Sequence, residues 1–277
     1  MVTIHDICSK QGARTHMEDR YISKKDPVTG FEIYAVCDGH GGSETAELLV
    51  GVTGIHTFIF SELALIPKDK LTESKVIADL IYTTYTRWDI IHKTDTKSSG
   101  STCNLILLTP DKRVFYSINL GDSRTTLYQK GVCVFQSKDH KPDEEVERIK
   151  SCGSFVVAGR VGGVLAISRS FGDWSLRSGN DPSKWAVSSY PDIRHITIPK
   201  GQECDVLLAS DGLWWEHGPH PVKDIHVNSI VSRTPKTKVA QALVNYALNV
   251  AKSRDNITVM FLTIRGGGDT LLVPTEK

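Results

Sequence analysis

No two of the six cysteines in this chain are spaced as C-x-x-C, and Cys37 and Cys133 sit inside apolar, strand-like runs. That pattern gives no thiol zinc motif and no sign of a disulfide framework. A free cysteine behaves as a small buried hydrophobe, so core thiols in a reducing compartment are expected, cytoplasmic with the nucleus left open. Long apolar runs are missing as well. Residues 105–108 and 206–209 are strand-sized, far short of the roughly 20 residues that cross a bilayer. There is no excess of either charge: 33 Lys+Arg stand against 32 Asp+Glu, a formal charge of +1. A nucleic-acid-coating protein and a polybasic membrane binder are therefore not expected. The N-terminus has no basic segment leading into an apolar core, and Val2 stands where N-myristoylation needs glycine, so neither a secretory leader nor that lipid is expected. No repeat of 20–50 residues and no low-complexity tract is found. His217, His220 and His226 have no cysteine beside them and no helical register, which argues against zinc.

What is present is an ordinary globular composition, 40% hydrophobic and 23% charged over 277 residues. That length suits one large domain, placed at 1–265, with a short tail at 266–277 that opens on Gly-Gly-Gly-Asp and is expected to be mobile. Runs rich in β-branched and aromatic residues predict strands at 31–37, 102–108, 114–120, 125–128, 132–136, 205–209 and 257–264. A period of 3.6 predicts helices at 43–49, 72–91, 143–151 and 236–252, the first capped by Ser43. Strands in consecutive runs, with helices grouped between and after them, give an α+β pattern.

The acids fall at the ends of the apolar strands. Asp38 ends Ile33-Tyr-Ala-Val-Cys37 and precedes Gly39-His-Gly-Gly42. Asp122 follows Ser117-Ile-Asn-Leu120, Asp211 ends Val206-Leu-Leu-Ala-Ser210, and Asp255 precedes the strand at Ile257. Glu18 and Asp19 lie near the start, with Arg14 just before them. Each acid alone is explained by turn chemistry. Together, if the strand ends converge, they crowd one pocket, and like charges that close need cations to neutralise them. Oxygen donors without Cys or His favour Mg²⁺ or Mn²⁺. Gly39 lets the backbone approach a ligand, Arg14 can fork onto a phosphoryl group, and His40 can protonate a leaving alkoxide. Such a set suits phosphate-ester hydrolysis.

The motifs resemble those of the protein phosphatase 2C family, the metal-dependent serine/threonine protein phosphatases. They are Gly12-Ala-Arg-Thr-His-Met-Glu-Asp19, Val36-Cys-Asp-Gly-His-Gly-Gly42, Ser99-Gly-Ser-Thr102, Asn119-Leu-Gly-Asp-Ser-Arg124 and Asp139-His-Lys-Pro142. Farther on come Gly159-Arg-Val-Gly-Gly-Val-Leu-Ala-Ile-Ser-Arg169, Phe171-Gly-Asp173, Leu208-Ala-Ser-Asp-Gly-Leu-Trp214 and Arg254-Asp-Asn-Ile-Thr258. The resemblance implies a central β-sandwich of two antiparallel sheets flanked by α-helices on both outer faces. It implies two Mg²⁺ or Mn²⁺ ions held by Asp38, the Gly39 carbonyl, Asp211, Asp255 and Glu18, with Asp19 beside them. Asp122 would serve a third ion, a site put in doubt by Trp215, which stands where an acid is usual. A second departure is Gly162, where the family usually has Asn. Arg14 would bind the phosphate, His40 would be the general acid, and Trp174 and Trp185 would belong to a flap beside the site. The implied reaction is direct hydrolysis of phosphoserine and phosphothreonine by a metal-bridged water, without a covalent intermediate. The alternative is a binding module of the same fold with little or no catalysis. A monomer acting on phosphoproteins, with no nucleic-acid or membrane partner, is expected.

Overall fold

The computed structural model describes residues 1–179, 181–217 and 220–267. β1 (Val2–Lys10), β2 (Arg20–Lys25), β3 (Glu32–Cys37) and the short β4 (Gly39–His40) lead into α1 (Glu44–Val50), α2 (Ile55–Leu65) and α3 (Ser74–Ile91). Next come β5 (Gly100–Ser101), β6 (Cys103–Leu108), β7 (Val114–Leu120), β8 (Arg124–Gln129) and β9 (Val132–Gln136). An excursion follows, with α4 (Val146–Ser151), β10 (Val156–Val157), β11 (Arg160–Val161) and β12 (Phe171–Gly172). The chain then returns through β13 (Asp192–Thr197), β14 (Glu203–Ala209), α5 (Asp224–Arg233), α6 (Val239–Asn249) and β15 (Ile257–Arg265).

Two five-stranded sheets result, in the orders β13-β7-β6-β3-β2 and β1-β15-β14-β8-β9, and every neighbouring pair is antiparallel. Alternation along each central strand decides the layers. Val206 and Leu208 join Val36, Ile106 and Met260 between the sheets. Leu207 and Ala209 point the other way, onto Leu243 and Val244 of α6. Ala35, Leu105 and Leu107 likewise share a cluster with Leu49 of α1, Ile59 of α2, and Ile81 and Trp88 of α3. Strands buried on both faces read as continuous apolar runs, which is why the sequence shows them.

The expected sandwich and helical layers are therefore present. Of the ten strands in the two five-stranded sheets, three depart from the expectation, β1, β2 and β13; the two-residue strands β4, β5, β10, β11 and β12 are too short to leave a sequence pattern. Each of the three lies at a sheet edge and carries exposed charged residues on a half-solvated surface, so its apolar signal is weak. The helices α2 and α5 also escaped the period: α2 is apolar nearly all round, and α5 buries only Val227 and Val231. Expected helix starts at 72, 143 and 236 are 3₁₀ turns or loop, with α-helix beginning at Ser74, Val146 and Val239. Ser43 does not cap α1 with its side chain; the Thr45 N–H is taken instead by Ser99 Oγ at 3.2 Å.

The stretch Glu44–Leu65 has a mean hydropathy of 1.7 and is by length and composition apolar enough to cross a membrane, contrary to the expectation drawn from the short runs. In the fold it is two helices broken at residues 51–54, with Leu49, Ile55, Ile59 and Leu63 packed into the core. Gly266 and Gly267, at the start of the expected tail, are tied by hydrogen bonds from their N–H groups to Gln202 O and Asp111 O. Residues 268–277 lie outside the described residues.

Candidate active site

One end of the sandwich gathers the strand-terminal acids around a cleft of about 540 Å³. Asp38 arrives on the end of β3, Asp211 just after β14, Asp255 just before β15, and Asp122 in the β7–β8 turn. The loop between β1 and β2 adds Arg14 and Glu18. Asn256 knots that loop to the sandwich. Its amide donates to Gln11 O and His16 O at 2.8 and 3.0 Å, and its carbonyl accepts from Glu18 N–H at 2.7 Å. Asp38 is pinned through its backbone. Its N–H donates to Thr102 Oγ1 at 3.0 Å, and its carbonyl accepts from Thr102 N–H at 2.9 Å. At Gly39 a Cβ would stand 2.7 Å from Glu18 O, so this crossing of the two chains requires glycine.

The electrostatics are those of a crowded anionic site. Burial first, then the charges of Asp19 and Asp211, push the Asp38 carboxyl well above its ordinary range. Burial, with Asp122 and Asp255 nearby, raises Asp211 to about 7. Burial raises Asp19 to about 6, although Ser210 Oγ donates to its Oδ2 at 2.8 Å. The other oxygen of Asp19, Oδ1, is buried with no hydrogen-bond partner. An orphaned carboxylate oxygen beside mutually repelling acids is a donor set whose charge a divalent cation would balance. Among the described residues no three acid, imidazole or thiol groups already stand in a ligating cage. Internal cations hold two of the acids instead. Arg14 Nη2 binds Asp255 Oδ2 at 2.7 Å, and Lys141 Nζ binds Asp122 Oδ2 at 2.6 Å. The all-oxygen donor set fits a hard divalent ion, and rotation of Arg14, which is 59% exposed, would release Asp255 for it.

His40 sits in β4, on the wall of the cleft. Burial alone would discharge its ring, but Asp173 Oδ2 lies 2.8 Å from Nε2 and the net effect is to raise its pKa. Asp173 belongs to Phe171-Gly-Asp173, 133 residues away in sequence, and nothing local marked it as a partner of His40. Burial likewise opposes the Lys141 ammonium, and Asp122 outweighs it. Arg160, from β11, lines the cleft too. Trp215 lines the cleft half-buried, its ring edge-on to His217 at 5.5 Å.

The structure thus brings Arg14, Glu18, Asp38, Gly39, His40, Asp122, Asp211 and Asp255 to one cleft. Asp19 lies behind it, 3% exposed. Trp174 and Trp185 do not line it. They are buried against each other, 4.9 Å apart and edge-on, and they enclose Arg177. Asp173, Asn256 and Lys141 are the site residues whose roles the sequence did not disclose. Each stands in a quoted motif, but its partner is remote in sequence.

A family model described as "Protein phosphatase 2C" matches residues 4–257. The chain is 38% identical over 213 residues to probable protein phosphatase 2C 45 of Oryza sativa subsp. japonica, covering 74% of this chain and 70% of that one. It is 30% identical over 283 residues to probable protein phosphatase 2C 3 of Paramecium tetraurelia, covering 92% and 90%. Among solved structures, a phosphatase from Toxoplasma gondii superposes with a TM-score of 0.76 at 24% identity, over 96% of this chain and 95% of that one, and so shares its fold. The chain belongs to the protein phosphatase 2C family, the metal-dependent serine/threonine protein phosphatases.

Proposed function

We propose that the cleft hydrolyses phosphoserine and phosphothreonine esters of proteins by direct attack of water, with no covalent enzyme intermediate. The observation that carries this reading is the convergence of buried, mutually repelling carboxylates on a cleft that also holds Arg14 and His40. Asp38, the Gly39 carbonyl, Glu18, Asp19, Asp211 and Asp255 would hold two divalent cations, Mg²⁺ or Mn²⁺. Bound there, the cations would supply an activated water and neutralise phosphoryl charge. A third ion is disfavoured, because Lys141 already neutralises Asp122 and Trp215 offers no carboxylate.

The chain's own residues do the rest. Arg14 leaves Asp255 and forks onto two phosphoryl oxygens. His40 gives its proton to the serine or threonine oxygen as the ester P–O bond breaks, while the new P–O bond forms to water. The products are inorganic phosphate and the free hydroxyl. No thiol is needed. Cys37, nearest the site, is fully buried, and the neighbouring Cys103 thiol and burial push its pKa well up, away from the thiolate form. The test is phosphate release from a phosphothreonine peptide and from p-nitrophenyl phosphate with Mn²⁺. Release from both is expected. Tight peptide binding with no release would leave only a binding module.

A further inference from the structure

A buried chain of hydrogen bonds reaches the cleft from the side and ends on His40. β4 and β12 flank β5 in a three-stranded sheet, which sets His40 beside residues 171–173. Asp173 Oδ2 is 2.8 Å from His40 Nε2, and Ser170 Oγ donates to the same oxygen at 2.5 Å. Asp173 adopts a left-handed backbone (φ 53°, ψ 37°), uncommon for a residue with a Cβ, and its N–H donates to Ser99 O at 3.1 Å. Gly100 lies beneath the pair. A Cβ there would stand 2.1 Å from Asp173 Oδ2 and 2.3 Å from His40 Nε2. Behind Asp173, the fully buried Asp89 of α3 accepts from Gly172 N–H at 2.9 Å and pairs with Arg177. Arg177 donates to Ser170 O at 2.7 Å and lies between Trp174 and Trp185, at 4.8 and 4.7 Å from their ring centres. The backbone that carries Asp173 is therefore fixed on several sides.

A carboxylate only accepts hydrogen bonds, so the ring nitrogen facing it must be the N–H nitrogen. Nε2 is thereby committed to Asp173, and Nδ1 is the nitrogen left for a substrate. We propose that Asp173 is a positioning residue for the hydrolysis. It holds the His40 ring in the orientation and tautomer that make Nδ1 the atom handing a proton to the leaving oxygen. The inference rests on the acid role proposed for His40. The step balances: the donor is the doubly protonated ring, whose Nδ1 proton passes to the departing oxygen as the P–O ester bond breaks, leaving the neutral ring with its proton on Nε2 and its bond to Asp173 intact.

The experiment compares His40→Ala, Asp173→Asn and the double variant on a phosphoserine peptide and on p-nitrophenyl phosphate, at saturating Mn²⁺. The nitrophenolate leaving group needs little protonation, so loss of an acid spares it. His40→Ala should lose roughly 10²-fold in kcat on the peptide and little on the aryl ester. Asp173→Asn should lose about tenfold in kcat on the peptide, with KM and the aryl ester nearly unchanged, and nothing further in the His40→Ala background. Equal losses from Asp173→Asn on both substrates, or losses that add to those of His40→Ala, would overturn the inference while leaving His40 its role. Equal losses from His40→Ala would overturn both. Should Asp173→Asn fail to fold, ¹⁵N shifts of labelled histidine in the unmutated protein decide it. The neutral His40 ring should carry its proton on Nε2; a proton on Nδ1 contradicts the proposal.

Discussion

The two walls of the cleft are held by different forces. On the sandwich side, Asp38, Asp211 and Asp255 ride on the ends of β3, β14 and β15, central strands buried on both faces. Their positions follow from strand register and a continuous ladder of backbone hydrogen bonds. The opposite wall is the excursion between β9 and β13, made mostly of two- and three-residue elements around a small core of Ile149, Val161, Ala186 and Val187. Side-chain ion pairs carry it instead. Glu145 bridges Arg148 and Arg169 at 2.5 and 2.7 Å, Arg169 reaches Asp192 at 3.0 Å, and Arg177 is buried against Asp89. A wall set by register tolerates the loss of one side chain and keeps its shape. A wall set by buried charges moves when one charge is removed.

Substitutions on each wall break that contrast in different ways. The largest effect is expected on the sandwich wall. Asp38→Ala should cost on the order of 10³-fold or more in kcat, because it removes a ligand of the activating cations. The fold should survive it, as circular dichroism and thermal melting would show, since the variant relieves repulsion. On the opposite wall Asp89→Asn leaves the Arg177 guanidinium buried and unpaired. A destabilisation of about 3–5 kcal/mol is expected, read by denaturant unfolding, with proteolysis beginning in residues 140–190. A loss below about 1 kcal/mol would mean that ion pairs do not carry that wall.

Protonation sharpens the comparison. Asp19 and Asp211 have folded values of about 6 and about 7, raised chiefly by burial, against an unfolded value near 4. Between roughly pH 4 and 7 these two carboxyls therefore bind more protons in the cation-free folded chain than in the unfolded one, and their contribution to stability falls as pH rises through that window. Thermal melting in chelator should show Tm dropping by at least a few degrees across it, at about 2–4 °C per kcal/mol. Mn²⁺ should flatten the curve. The smallest effect belongs to the exposed Arg14. Arg14→Ala should raise KM for a phosphopeptide about tenfold with a lesser change in kcat, because the fork binds phosphate before and during reaction. A loss confined to kcat would assign Arg14 to the transition state alone.

The same division decides what could be read from the sequence. The central strands were legible because burial on two faces leaves no polar alternation, and an aspartate at the end of such a run stands out. Asp38, Asp211 and Asp255 were found that way. The edge strands β1, β2 and β13 were not, since half their side chains meet water. In the excursion the helix expected at 143–151 was legible, but the contacts that hold the segment were not, for a deeper reason. The bond from Asp173 to His40 spans 133 residues and that from Arg177 to Asp89 spans 88, so no local period or turn rule could pair them. Trp174 and Trp185 are placed in a flap by resemblance alone, and their work of enclosing Arg177 depends on that same distant contact.

The most direct measurement of the central claim, that the crowded acids are a cation site driving ester hydrolysis, is turnover of a phosphoserine peptide before and after exhaustive chelation. Activity should vanish with chelation, return with Mn²⁺ or Mg²⁺, and fail to return in Asp38→Ala. Turnover that persists at its original rate in the chelated protein would contradict the account.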